Sequence, residues 1–363
     1  MQAGSAELFD RPWNTQTPQA EKILRKERMP SFPNPLRSLQ RLIARSPVGS
    51  AGTATPELNV FVDEIAASLQ AGRLTLVVGA GLSYGSGFPT WPDLLSNLAK
   101  LLVPPKELDA FNLLAVYDSP LISARFLKSR LAVPHALHSF VHEALYVESV
   151  DYTRANPTLD FVTSVVALAA RTGAELDIIT YNFDDLLEHA ISVLSPPIEF
   201  QVVSLEEHYH ARSYSIRILH VHGLLERSGP RPVLPPPFLI LAEDEFHELM
   251  NNPHAWQNQA QTAAFAHRDC LFVGMSMTDP NLRRVLDFSA RHTTASERRR
   301  WILARRYEAG DQLVDASTKM NSATADALNQ IKADIFRSLD AKPIYLKGFS
   351  AYQNLAALVS VRS

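Results

Sequence analysis

His222 closes the apolar run IRILHVHG and stands directly before Gly223. A neutral imidazole in that place can take a proton from a sugar hydroxyl or a water. Asn182 follows a second apolar run, ELDIIT. Its amide carries both donors and an acceptor, enough to hold a water, a ribose hydroxyl or a carboxamide. Asp184 comes two residues later, where a helix begins. Asp184 and Asp185 also suit the plain role of helix-capping acids. A third run, Leu74–Val78, empties into Gly79-Ala80-Gly81 and then Ser83. Glycines at a strand exit let backbone N–H groups approach a phosphate. Gly274 and Ser276 repeat the device after the run CLFV. The combined chemistry is two grips on a nucleotide, with an amide and an imidazole close to them.

Several stricter patterns fail. Tyr84 breaks Gly-x-Gly-x-x-Gly, and no Gly-Lys-Ser/Thr follows the first loop. Thr278 breaks Gly-x-Ser-x-Gly, so Ser276 is not read as a nucleophile on an elbow. His220 lies two residues before His222 and is expected to face the same side of its strand. Such a pair can ligate a metal, but no Cys or carboxylate pattern completes the set. His135, His138 and His142 share a helical spacing and read as a wet helix face. Arg298–Arg300, with Arg305 and Arg306, read as solvated strand ends. No metal site is expected.

The elements that must position these residues alternate along the chain. Runs at 74–78, ELDIIT, IRILHVHG, FLILA, CLFVGMSM, RRWILA and KPIYL read as strands, with helical periodicity between most of them. Residues 101–150 show helical spacing and no strand, and read as a small insertion. The fold class is α/β: a Rossmann-like, mainly parallel sheet with helices on both faces. Four strands end in small, polar or ionisable residues, and in such a sheet these ends share one edge, where ligands bind. Residues 1–56 differ in composition, being rich in Pro, Ser, Arg and Gln, and read as an N-terminal arm. Order begins with Thr55-Pro56-Glu57 as a helix start, and residues 57–363 form the nucleotide-binding domain.

Bulk properties narrow the function. The chain has 363 residues, 46% of them hydrophobic, enough for a well-buried core. A formal net charge of -3 supplies no basic field for nucleic acid. No apolar run reaches the roughly 18 residues of a membrane span, and no secretory signal is read at the start. The single cysteine, Cys270, excludes an internal disulfide framework and a Cys-rich zinc site, and points to a reducing cytoplasm.

With these residues in place, the chain resembles the sirtuin-like (silent information regulator 2-like) superfamily, and most of all its bacterial anti-phage branch. The matching stretches are VVGAGLSYGSGFPTW, ITYNFDDLLE, HVHG and LFVGMSMTDPNLRRVL, in that order, from Leu74 to Leu286. The resemblance implies NAD as substrate. Gly79, Ala80, Gly81 and Ser83 take the phosphate-loop role, Gly274 and Ser276 a second nucleotide contact. Asn182 and Asp184 stand beside nicotinamide and its ribose, and His222, not His220, matches the catalytic histidine. Protein-deacylating members carry a four-cysteine zinc module, which one cysteine cannot build. Here Thr90-Trp91 replaces their Phe-Arg after Pro89, and Tyr181 replaces their Gln before Asn182.

The expected activity is therefore NAD hydrolysis at the nicotinamide–ribose bond, depleting the cell's cofactor as a defence effector. The alternatives are protein deacylation or ADP-ribosylation, and a non-catalytic nucleotide-binding subunit. The resemblance further implies a homo-oligomer and a partner such as a HerA-type hexameric ATPase or a short Argonaute protein. Residues 1–56 are either a flexible arm or the candidate for assembly, partner binding or gating. Deleting them is expected to change the oligomer size seen by light scattering, and an unchanged size counts against that role.

Overall fold

A computed structural model describes residues 56–131, 136–228, 238–292, 298–311, 319–348 and 350–361. The arm at residues 1–55, with Thr55, and His135 lie outside the described residues. The chain runs α1 (Pro56–Gln70), β1 (Leu74–Val78), α2 (Gly81–Tyr84), α3 (Trp91–Leu102), α4 (Leu108–Tyr117), α5 (Pro120–Ser129), α6 (Leu137–Leu145) and α7 (Pro157–Thr172). It continues through β2 (Leu176–Thr180), α8 (Leu186–Ser192), β3 (Gln201–Val203), α9 (Glu206–His210) and β4 (Ile216–His220). Then come α10 (Glu243–Asn251), α11 (Trp256–His267), β5 (Asp269–Val273), α12 (Pro280–His292), β6 (Arg300–Arg305), α13 (Ser322–Ser338), β7 (Lys342–Leu346) and α14 (Ser350–Val361).

The seven strands form one sheet in the order β3-β4-β2-β1-β5-β6-β7, and every pairing is parallel. Strand side chains alternate between two cores, as the pleat requires. Leu76, Val78, Ile178, Leu271 and Val273 meet Phe61 and Ile65 of α1, Phe161 and Val165 of α7, and Leu355 of α14. Val77, Ile179 and Phe272 face the other way, onto Trp256 and Phe265 of α11, Leu282 and Val285 of α12, and Phe336 of α13. The result is an α/β/α sandwich of the Rossmann type. Within residues 101–150 the described elements are all helical.

Chain direction across the sheet reverses around β1. β2 lies on one side of it and β5 on the other, so the crevice between β1 and β5 is the switch point where open parallel sheets bind ligands. The two strand exits touch through backbone. Gly79 N–H donates to Val273 O (3.2 Å), and Gly81 N–H to Gly274 O (2.9 Å). A Cβ on Gly81 would lie 2.7 Å from Gly274 Cα, and one on Gly274 would lie 2.5 Å from Leu82 N. Gly274 also has φ +64°, a conformation side chains resist.

Two expectations are corrected here. FLILA is not a strand: residues 238–242 are irregular, with Leu239, Ile240 and Leu241 buried. Both edges of β4 are taken, by β2 and by the short β3 that periodicity overlooked, and Ile240 N–H reaches only beyond the end of β4, to His222 O (3.0 Å). The arginines before β6 are not all solvated. Arg298 and Arg300 are buried, and Arg300 donates to Leu339 O (2.9 Å), Phe265 O (2.7 Å) and Ser289 Oγ (2.7 Å). A fork of five N–H groups is well matched to carbonyls left over at loop ends.

The glycine contact predicts a graded cost. Gly72 has φ +64° and open space around its missing Cβ, so Gly72→Ala bears only the conformational strain, about 1–2 kcal/mol. Gly274→Ala bears that strain and must also push Leu82 away, a further ~1–3 kcal/mol. Urea midpoints of the two variants are expected to fall in that order.

Candidate active site

The carboxyl ends of β1, β2, β4 and β5 bring Ser83, Asn182, Asp184, His220, His222 and Gly274 to one edge of the sheet. Three side chains from two strand exits form a chain of hydrogen bonds. Asn182 Nδ2 donates to Ser83 Oγ (3.0 Å), and Ser83 Oγ donates to Asp184 Oδ1 (2.8 Å). Asp184 Oδ1 also receives Leu186 N–H (3.3 Å), which anchors it to the first turn of α8. All three side chains are buried. Asn182 Oδ1 makes no bond among the described residues.

This arrangement gives the first loop a task inside the protein. The Ser83 hydroxyl has a donor and an acceptor inside the protein, and so links Asn182 to Asp184. The N–H groups of Gly79, Gly81, Leu82 and Ser83 are also bonded within the protein. Gly79 and Gly81 serve close packing against Gly274 and Met275, and Ala80 begins the four-residue α2. Ser276 is exposed and shares a hydrogen bond with Thr278 (2.7 Å).

The two acids after Asn182 part company. Burial pushes Asp184 up to about 6; the Ser83 bond opposes this and the Glu188 charge adds to it. Asp185, at the N-cap of α8, makes no capping bond with its side chain. It receives the hydroxyls of Tyr146 (3.0 Å) and Tyr152 on one oxygen and the Arg227 N–H (3.0 Å) on the other. It thus ties the end of the helical insertion to the loop after β4.

The two histidines do not face the same side. β4 ends at His220, and the chain turns at once: Val221 N–H reaches Leu219 O (3.1 Å), and Gly223 N–H reaches His220 O (3.1 Å). The rings separate. His220 Nδ1 donates to the Asn182 carbonyl (3.2 Å), and Nε2 donates to Glu188 Oε1 (2.5 Å). Burial opposes its charged form, but Glu188, that carbonyl and Asp184 outweigh burial and raise its pKa. These partners favour the protonated ring, and His220 fixes the backbone of Asn182.

His222 is the opposite case. Its ring is met edge to face by Tyr181 (4.7 Å, 78°) and Phe246 (5.3 Å, 84°). Burial lowers its pKa, and Asp279 only partly opposes this. The imidazole is neutral at physiological pH and can accept a proton. Two histidines two residues apart favour different charge states because only one has a hydrogen-bonded carboxylate.

Sequence reasoning overlooked Glu188. The (i, i+4) spacing of Asp184 and Glu188 gives both acids one face of the chain entering α8, a signal that was available. Cys270 lies buried in β5, its thiol pushed up to about 12 by burial, so it is inert as a nucleophile. His138 is buried, while His142 lies 3.2 Å from the Glu226 carbonyl. Among the described residues no group of three His, Cys, Asp or Glu is placed to hold a metal, and no helix is long and apolar enough to cross a membrane.

Comparison with known proteins finds a likeness of the kind that the motifs suggested. Residues 177–327 match the SIR2-like domain family. That span takes in Asn182, Asp184, His220, His222, Gly274 and Ser276, and begins after the Gly79–Ser83 loop. A curated relative, the NAD(+) hydrolase ThsA of Enterococcus faecium, is 21% identical over 234 residues. The alignment covers 62% of this chain and 42% of the relative, so the chain spans well under half of that protein's length.

The raised pKa of Asp184 has a testable sign. Between about pH 4 and 6 the folded protein holds a proton that the unfolded chain has released, so stability falls as pH rises through that window. Above it the loss is of order 3 kcal/mol. Asp184→Asn keeps an acceptor for Ser83 and carries no charge to bury. Urea titrations are expected to show the variant gaining on the parent between pH 4.5 and 7.5; a constant difference would contradict the buried, proton-retaining carboxyl.

Proposed function

We propose that the SIR2-like domain of this chain is an NAD hydrolase that cleaves the bond between nicotinamide and ribose. The observation that carries this reading is the pairing, on one edge of the sheet, of a buried neutral His222 with an Asn182 whose amide oxygen is unclaimed. The kinship with an NAD(+) hydrolase supports it.

Nicotinamide in NAD is a pyridinium and leaves as a neutral molecule. The ribose carbon it leaves acquires oxocarbenium character, so catalysis rests on placement more than on a strong acid. In this reading Asn182 Oδ1 holds the attacking water or a ribose hydroxyl, while its Nδ2 is held by Ser83. Water adds to the ribose carbon and loses a proton to His222, which returns it to solvent. The sum is NAD and water giving nicotinamide, ADP-ribose and one proton. His220 and Glu188 act at one remove, by fixing the Asn182 carbonyl. The resemblance to the defence branch extends the reading: the reaction depletes cellular NAD, in an oligomer or alongside a HerA-type or Argonaute partner.

Purified protein incubated with NAD is expected to release nicotinamide and ADP-ribose in equal amounts, measured by chromatography. His222→Ala and Asn182→Ala are each expected to lose about 10²–10⁴-fold in rate while keeping the parent's circular dichroism. Full activity in both variants would refute these roles. ADP-ribose attached to protein in place of free ADP-ribose would indicate transfer instead of hydrolysis.

A further inference from the structure

Asp279 ends the exit loop of β5 and begins α12, and its two carboxylate oxygens do different things. Oδ1 receives Leu282 N–H at 2.7 Å, a capping bond that fixes the side chain. Oδ2 lies 3.5 Å from His222 Nε2. That nitrogen is buried and has no hydrogen-bond partner. A buried polar atom left unpaired is costly, and Asp279 is the acceptor within reach. The other surroundings of the ring supply none. Tyr181, from the β2 exit, presents a ring edge, and its hydroxyl is engaged by Gln261. Phe246, from α10, presents carbon, while its neighbours Asp244 and Glu245 are paired with Lys128.

We propose that Asp279 is the positioning residue for His222: its Oδ2 is the acceptor that draws the Nε2–H, which leaves Nδ1 as the nitrogen that takes the proton. Nδ1 makes no bond among the described residues and is free for that task. The capping bond is what gives the arrangement its precision. Because Oδ1 is held by the first turn of α12, Oδ2 cannot drift from the ring. A carboxylate there also stabilises the imidazolium once the proton has arrived. The inference rests on the NAD-hydrolysing role of His222, but concerns a tautomer that can be read without turnover.

Asp279→Asn is the informative variant. Asn caps a helix as well as Asp does, so α12 is expected to persist. With its oxygen engaged by Leu282 N–H, the Asn amide turns an N–H toward His222 Nε2, two donors face each other, and the ring must move its proton to Nδ1. Long-range ¹H–¹⁵N spectra of ¹⁵N-histidine-labelled full-length chain, with the His222 signals assigned through His222→Gln, read this directly. The parent is expected as the Nε2–H tautomer and Asp279→Asn as the Nδ1–H tautomer, at unchanged melting temperature. The variant's kcat is expected to fall at least about tenfold. Its KM for NAD is expected to change little, with the acid limb of kcat/KM displaced to lower pH by roughly one unit. A parent in the Nδ1–H form, or a variant with the parent's tautomer and pH profile, overturns the proposal. If the parent releases no nicotinamide, the function proposed above fails, and the spectra alone decide the pair.

Discussion

Everything at the carboxyl edge depends on two backbones touching where no Cβ intervenes. Gly81 and Gly274 bring the exits of β1 and β5 into van der Waals contact, and the Gly81 N–H to Gly274 O bond seals it. That contact sets how deeply α2 enters the crevice. Two residues further on, its depth places Ser83 between Asn182 and Asp184. A side chain at either glycine would lift α2 and break the chain of hydrogen bonds at its middle. The two glycines are thus the thin place in the wall that lets two strand exits share one edge.

Around that joint, the fold separates two chemically identical rings by their surroundings alone. His220 has an acceptor at each nitrogen, a carbonyl and a carboxylate. His222 lies between aromatic ring edges and has no hydrogen-bond partner at Nε2. One ring is drawn toward its protonated form and braces backbone, and the other is held toward its neutral form. The turn immediately after β4 makes this possible, because an extended strand would have aimed both at the same environment.

The sheet was legible because buried parallel strands read as short, continuous apolar runs, and six of the seven did so. β3 was missed because three residues, only partly buried, carry too little pattern. FLILA was misread because apolar composition reports burial, not ladder partners, and Leu239 to Leu241 are buried without a ladder. The convergence of Asn182, Asp184 and His222 followed from topology, since parallel strands deliver their ends to one edge. What each group bonds to did not follow. The roles of Ser83 as a link, Glu188 as a counter-ion and Asp185 as a tether for two tyrosines depend on contacts between residues 32 to 101 positions apart. Residue type shows that a hydroxyl is present, but the packed fold decides whether it is already spent.

Asn156 shows how such spending limits a position. Its Oδ1 receives Leu159 N–H (3.3 Å) at the start of α7, and its Nδ2 donates to Leu82 O (2.8 Å) and Ser86 Oγ (3.1 Å) on the far side of α2. One amide thus begins a helix and holds the loop that carries Ser83. Aspartate has the acceptor but neither donor, serine lacks the second arm, and glutamine sets the same groups one methylene too far out. Gly85 adds the spatial limit, since a Cβ there would lie 2.7 Å from Asn156 Cγ. Of the twenty side chains, a single one satisfies this inventory at this length. Position 156 is thereby held by its hydrogen-bond inventory and its reach together.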